Sequence, residues 1–217
     1  MKTNKINNLV SYLISIFLIT ISVSIHAETT IAGIQHEWAK ANYETSKKQQ
    51  EKAFETLVEQ AREHAASQPG KAEPKVWLAI VLSTQAGVTG GLGALGKVKE
   101  ARKFLEEAEK IDASVLDGSI YTSLGSLYYQ VPGWPVGFGK SSKAEEYLQK
   151  ALAVNPDGID PNYFYGDFML EEGEYEKAVK YLKKAQAAPA RPDRPLADKG
   201  RQKEIADKLI IARDKLK

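Results

Sequence analysis

The chain has 217 residues, 43% of them hydrophobic and 27% charged, the balance of an ordinary globular protein. That balance excludes a disordered chain, a collagen-like chain and a polytopic membrane protein. It has no cysteine, which excludes disulfides, thiolate metal sites, iron–sulfur clusters, a cysteine nucleophile and an amino-terminal lipid anchor on cysteine. Its three histidines argue against histidine-rich metal chemistry.

The chain opens with Lys2 and Lys5, followed by a 17-residue uncharged run from Leu9 to Ile25 and a small residue at Ala27. Basic start, apolar middle and small-residue exit are the parts of a secretory signal peptide, so cleavage is expected near Ala27 and the mature chain in the bacterial periplasm. The alternative is a single membrane anchor, since 17 residues is the short limit for spanning; serines and threonines dilute the run and no basic cluster follows it. No stable membrane insertion is expected after cleavage. Taking Lys2 and Lys5 from the 30 basic residues leaves 28 against 28 acidic ones, so the mature chain is formally neutral. That charge gives no reason to expect nucleic acid as a partner.

After residue 28 strand signals are scarce, and Ala, Leu, Glu and Lys recur at helical spacing. Turn signals cut the chain at Gln68-Pro69-Gly70, Asp117-Gly118, Asn155-Pro156-Asp157-Gly158 and Pro189 to Pro195. A spacing of Ala, then Leu four residues on, then Ala three further on, occurs at Ala101, Leu105 and Ala108. It occurs again at Ala144, Leu148 and Ala151, and 34 residues later at Ala178, Leu182 and Ala185. Each set lies on one helix face, and small alanines let a neighbouring helix come close. Upstream of each set stand an aromatic and a smaller residue: Trp77 with Val81, Tyr121 with Gly125, and Tyr165-Gly166 with Met169.

With these residues in place the chain resembles the tetratricopeptide repeat family, whose unit is a 34-residue helix pair. The resemblance implies an all-α, helix-pair solenoid with a degenerate first unit at 35–68 (Trp38, Phe54, Val58, Ala61). Units at 74–115, 118–158 and 159–192 follow, with an amphipathic capping helix at 196–216. Residues 28–217 then form a single domain, with additional residues between the two helices of the 74–115 and 118–158 units. A weaker resemblance, over 118–194, is to the T-component associated with some TRAP-type solute transporters. This chain differs from that group's lipoprotein members in lacking a lipidated cysteine.

Three segments are candidates for chemistry. Gly90 to Lys97 reads GGLGALGK and matches G-x-G-x-x-G at Gly91, Gly93 and Gly96. A nucleotide loop needs a preceding strand, and Ser or Thr after the lysine; here a repeat helix precedes and Val98 follows, so a glycine-rich interhelical insert is the expectation. The second segment, Val131 to Lys140, carries Trp134 and Phe138 among prolines and glycines, reading either as an aromatic lip over a groove or as a plug in the helical stack. The third is Asp160 to Asp167. In the repeat family one edge of each first helix lines a concave groove, and matching spacing assigns it Thr122, Ser126, Tyr129 and Gln130 in one unit. The next unit gives Asp160, Tyr163, Asp167 and Glu171, and the earlier one Lys75, Leu78, Leu82 and Gln85. Tyr121, Tyr128, Phe164 and Tyr165 are expected to pack. Arg191 and Arg194 are held among prolines and could clamp a carboxylate, but salt bridges to the acidic helices are expected instead. His36 and His64 fall on charged faces with no evident partner, so no catalytic residue, metal ligand or cofactor is assigned.

These readings point to a non-enzymatic periplasmic scaffold that binds a protein or peptide in its concave groove through Thr122, Ser126, Tyr129, Gln130, Trp134, Phe138, Tyr163 and Asp167. The alternative is an accessory solute-binding protein of a TRAP-type uptake system, its partner a solute-binding or transporter component, with the two inserts closed over a pocket. A third reading is an oligomerisation module.

Overall fold

The computed structural model describes residues 30–217; the signal segment expected at 1–27 lies outside the described residues. Helices α1 (Ile31–Tyr43) and α2 (Lys47–Ser67) form the first pair, α3 (Ala72–Thr89) and α4 (Gly91–Ile111) the second. A 3-10 turn at Val115–Gly118 leads to α5 (Ser119–Gln130) and α6 (Ser141–Val154), and then to α7 (Ile159–Glu171), α8 (Tyr175–Gln186) and the last helix, α9 (Pro195–Asp214). No strand occurs among the described residues. The architecture is the all-α repeat solenoid that the spacing predicts.

Local chemistry sets the helix ends. The Thr30 hydroxyl accepts from the Gly33 N–H at 3.1 Å and caps α1. Pro195 opens α9, where its fixed φ suits the first turn. Between α3 and α4 the chain reverses through Gly90 and Gly91, at φ 64° and 58°, in the left-handed region that favours glycine.

The Gly90–Lys97 segment differs from expectation. From Gly91 onward it is the first two turns of α4 and not an insert. The additional residues of this unit are absorbed as helix length: α3 and α4 have 18 and 21 residues, α5 and α6 have 12 and 14. Glycine disfavours a helix interior by about 1 kcal/mol relative to alanine. Here Val98 is buried, and Ala94 and Leu95 pack against the core, which holds the turns in place. The Val131–Lys140 segment is a loop, folded on itself by bonds from Gly137 N–H to Gly133 O (3.0 Å) and from Gly139 N–H to Pro132 O (3.0 Å).

The first helices of the pairs, α1, α3, α5 and α7, pack side by side as an inner layer, and the second helices lie outside them. The Ala-Leu-Ala triads of α4, α6 and α8 are fully buried at all nine positions. The triads of α6 and α8 face the preceding helix closely because that helix carries glycine. A Cβ on Gly125 would sit 2.5 Å from Leu148 Cγ, and one on Gly166 would sit 2.9 Å from Leu182 Cγ.

The last helix does more than cap the stack. It packs along α8, touches α7 and reaches α1, so the solenoid closes on itself. The closing contact is Gly200 against the ring of Tyr43, where any side chain would strike the ring. Burial pushes the Tyr43 hydroxyl up to about 12.

Gly125→Ala is expected to destabilise the fold by about 1–3 kcal/mol, the usual cost of overpacking, and so to lower Tm by roughly 2–10 °C for a chain of this size. Gly166→Ala, with more room, should cost less. Thermal unfolding followed by circular dichroism checks both, and an unchanged Tm for Gly125→Ala would remove the close-approach explanation.

Candidate functional site

The inner faces of the first helices enclose a chamber of about 160 Å³. Trp38 of α1 and Trp77, Ile80 and Thr84 of α3 form one wall; Thr122, Ser126 and Gln130 of α5 form another. Asp160 and Phe164 of α7, with Arg194 and Arg201 of the α9 segment, complete it. The Trp38 indole donates to Thr84 Oγ1 at 2.9 Å and meets Trp77 edge-on at 6.3 Å between ring centroids, which fixes the aromatic wall. A second cleft, about 400 Å³, shares Trp77, Ser119, Thr122, Asp160 and Arg194 with the chamber and leads outward past Asp117 and Asp193.

Asp160 is the electrostatic centre of this region. Its Oδ2 accepts from Arg191 Nη1 at 2.6 Å and its Oδ1 from Arg201 Nε at 2.9 Å. Arg191 also pairs with Asp198, and Arg201 with Glu204. The Arg201 guanidinium lies 4.2 Å from the ring centroid of Tyr163 and 4.8 Å from that of Phe164. Burial pushes the Asp160 carboxyl up, and the charges of Arg201, Arg191 and Arg194 more than reverse this, holding it well below the usual carboxylate range.

A second ladder ties three helices. Tyr129 Oη of α5 donates to Asp167 Oδ2 of α7 at 2.8 Å, and Lys208 of α9 pairs with Asp167 Oδ1 at 2.6 Å. Gln130 Nε2 donates to Tyr129 Oη at 3.0 Å. Burial, with the Asp167 charge beside it, raises the Tyr129 hydroxyl well above its ordinary value.

The eight residues assigned to binding from the sequence therefore separate. Thr122, Ser126 and Gln130 line the chamber. Tyr129, Tyr163 and Asp167 are engaged by one another or by α9. Phe138 folds back edge-on to Tyr128 at 5.5 Å, with the Arg102 guanidinium 4.3 Å from its ring centroid, so it plugs the stack. Trp134 is 90% exposed and lines none of the cavities described here. Tyr121, Tyr128 and Tyr165 pack on Tyr147 and Tyr181 as expected, whereas Phe164 lines the chamber. Arg191 makes the salt bridges expected of it; Arg194 does not. His64, expected on a charged face, is instead buried, its Nε2 3.2 Å from Gln68 Nε2. Sequence reasoning missed Trp38, Trp77, Phe164 and Arg201 as chamber residues, since each carries an ordinary core or surface pattern.

A third feature is an open groove of about 530 Å³ between the α3–α4 turn and the Val131–Lys140 loop. Ala86, Leu95, Val98, Leu127, Val131 and Pro132 floor it. Leu92 of α4 and Val136 of the loop flank it, 87% and 55% exposed. Among the described residues no group of acidic and histidine side chains could hold a metal ion, and no helix is long and apolar enough to cross a membrane.

Asp160→Asn is expected to cost about 3 kcal/mol at neutral pH, because it leaves two buried guanidiniums short of charge. A carboxyl held below its ordinary value of 3.8 contributes stability that is present above that pH and lost as pH falls below it. The gap between the variant and the natural protein should therefore narrow as pH drops through about 4. Urea unfolding at pH 7, 5, 3.5 and 2.5 tests this; a gap that stays constant down to pH 2.5 would show that Asp160 carries no such linkage.

Comparison with known proteins agrees with the helix-pair reading. Residues 137–199, from the loop through α6, α7 and α8 into α9, match the tetratricopeptide repeat family. The chain is 25% identical over 171 residues to a tetratricopeptide repeat and J domain-containing co-chaperone of Mycosarcoma maydis, covering 75% of this chain and 28% of that one. It is 34% identical over 107 residues to the Vi polysaccharide export protein VexE of Salmonella typhi, covering 48% of this chain and 15% of that one. This chain thus spans less than a third of either relative's length. Among solved structures, MamA aligns over 78% of this chain and 92% of its own at 20% identity and a TM-score of 0.45. PilF of Pseudomonas aeruginosa aligns over 84% and 89% at 18% identity and a TM-score of 0.36. The resemblance to the TRAP-associated T-component finds no support among these matches. The match to the tetratricopeptide repeat family thus covers residues 137–199, within a solenoid of helix pairs whose first described helix begins at Ile31.

Proposed function

We propose that this protein is a non-enzymatic scaffold of the periplasm, and that it holds a partner protein in the open groove between the α3–α4 turn and the Val131–Lys140 loop. Tetratricopeptide-repeat solenoids present continuous surfaces to protein partners. Here the concave edge expected to do so is engaged by α9 at Tyr163 and Asp167, which leaves the groove as the accessible apolar surface. The observation that carries the reading is the pair of exposed side chains Leu92 and Val136 flanking an apolar floor. Exposed apolar surface of this kind, rimmed by polar residues, marks interaction sites. Trp134, on the same loop but outside the groove itself, adds an almost fully exposed aromatic of the kind interfaces favour. The periplasmic address rests on the basic, apolar and small-residue parts of segment 1–27.

The solute-uptake alternative needs two inserts that close over a pocket lined by Trp134, Phe138, Tyr129 and Tyr163. One of those segments is helix, and the four side chains do not converge on a common cavity. The scaffold reading is therefore the one the geometry favours.

Leu92→Asp and Trp134→Ala should each release a protein that co-purifies with the natural chain from its host, while leaving the thermal midpoint unchanged because neither side chain is buried. Retention of the same partner by both variants would rule out the groove. The mass of the mature chain gives a separate check on the address, since removal of residues 1–27 is expected.

A further inference from the structure

Two hydrogen-bond donors in the chamber wall have no acceptor. The indole N–H of Trp77 and the Nε–H of Arg194 are both buried without a partner among the described residues. They are neighbours, with the guanidinium 5.1 Å from the indole ring centroid. Arg191 and Arg201, to either side, take up Asp160, Asp198 and Glu204, while Arg194 makes no ion pair among the described residues. Asp160, whose oxygens accept from Arg191 and Arg201, acts on Arg194 only from beyond ion-pair distance. Burial and the charge of Arg191 push the Arg194 guanidinium below its ordinary value, the opposite direction from Arg191 and Arg201. A buried donor left unmade is costly, and a charged one more so.

The hydroxyls of the α3 and α5 walls are turned to their own backbone. The hydroxyls of Thr84, Thr122 and Ser126 donate to Ile80 O (2.9 Å), Gly118 O (3.1 Å) and Ser123 O (2.9 Å) of the backbone. Their protons are spent on the backbone, and Thr84 Oγ1 also accepts from the Trp38 indole, so none of the three donates into the chamber. Apolar faces of Trp38, Ile80 and Phe164 lie between the two walls.

We infer that the chamber binds a small organic monocarboxylate, its anion on Arg194 and the Trp77 N–H and its body against Trp38 and Phe164. A guanidinium beside a second N–H donor is a carboxylate site by geometry and charge. The volume of about 160 Å³ is close to that of an apolar cavity that holds benzene, which sets the ligand at about six to nine heavy atoms. The outward cleft gives the path in, and Asp117 and Asp193 beside it disfavour dianions. This site adjoins the proposed partner groove, with which it shares Ser83, Ser126 and Gln130, but neither Arg194 nor Trp77 lines the groove, and Leu92 does not line the chamber.

The test is calorimetric titration of the protein with acetate, 4-methylpentanoate and benzoate, and with benzamide as the neutral isostere of benzoate. Benzoate or 4-methylpentanoate should bind at one site, and benzamide at least tenfold more weakly than benzoate if benzoate is the better ligand. Arg194→Gln should weaken carboxylate binding by roughly ten- to a hundredfold, the worth of a charge-assisted bond, with the unliganded Tm kept or raised. Ser123→Leu adds bulk on the α5 wall of the chamber and should abolish binding, while Leu92→Asp should bind as the natural chain does, whatever it does to the protein partner. Absence of binding by all three carboxylates, benzamide binding equal to benzoate, or undiminished carboxylate binding by Arg194→Gln or Ser123→Leu would overturn the inference.

Discussion

One carboxylate fixes the shape of this molecule. Asp160 stands in the first turn of α7, where the helix dipole already favours an anion, and it receives Arg191 from the linker and Arg201 from within α9. Two guanidiniums from one segment on one carboxylate leave α9 a single way to lie. That placement brings Gly200 onto Tyr43 and Lys208 onto Asp167, and the open edge of the solenoid becomes a closed interior. Each pair separately would be worth little at the surface. Their effect here comes from being partly buried, mutually connected and aimed at one geometry.

The two cavities differ in the way their walls are made. The groove beside the Val131–Lys140 loop is apolar and open, and its flanking side chains are free in solution. The chamber is smaller and mixed in character, its α3 and α5 hydroxyls oriented by their own backbone and its aromatic faces set beside the donors of Trp77 and Arg194. A surface of the first kind suits a macromolecule, because apolar area is gained without ordering many polar groups. A cavity of the second kind suits a small ion with one matching acceptor group.

Much of the fold is legible in the sequence because it rests on short-range spacing. The Ala-Leu-Ala triads at 101, 144 and 178 and the glycines at 125 and 166 state both the helix face and the closeness of its neighbour, and the structure buries every one of them. Gly90 to Lys97 reads wrongly because glycine propensity is a local term, while the packing of Leu95 and Val98 that overrides it is tertiary. The site is less legible for the same reason. Asp160 meets Arg191 and Arg201 across 31 and 41 residues, and Trp38 meets Thr84 across 46. No periodicity encodes such pairings. Thr122, Ser126 and Gln130 were readable, since the inner edge of a repeat helix follows from its register. That Arg194 makes no ion pair among the described residues depends on which acids its neighbours take first.

Repeat proteins of this kind ordinarily change length by duplicating a unit, since each repeat contacts only the next. The contact of Gly200 with Tyr43 removes that freedom. Inserting a helix pair anywhere between α1 and α9 would carry the two ends past each other and open the interior, so the number of repeats is set by ring closure.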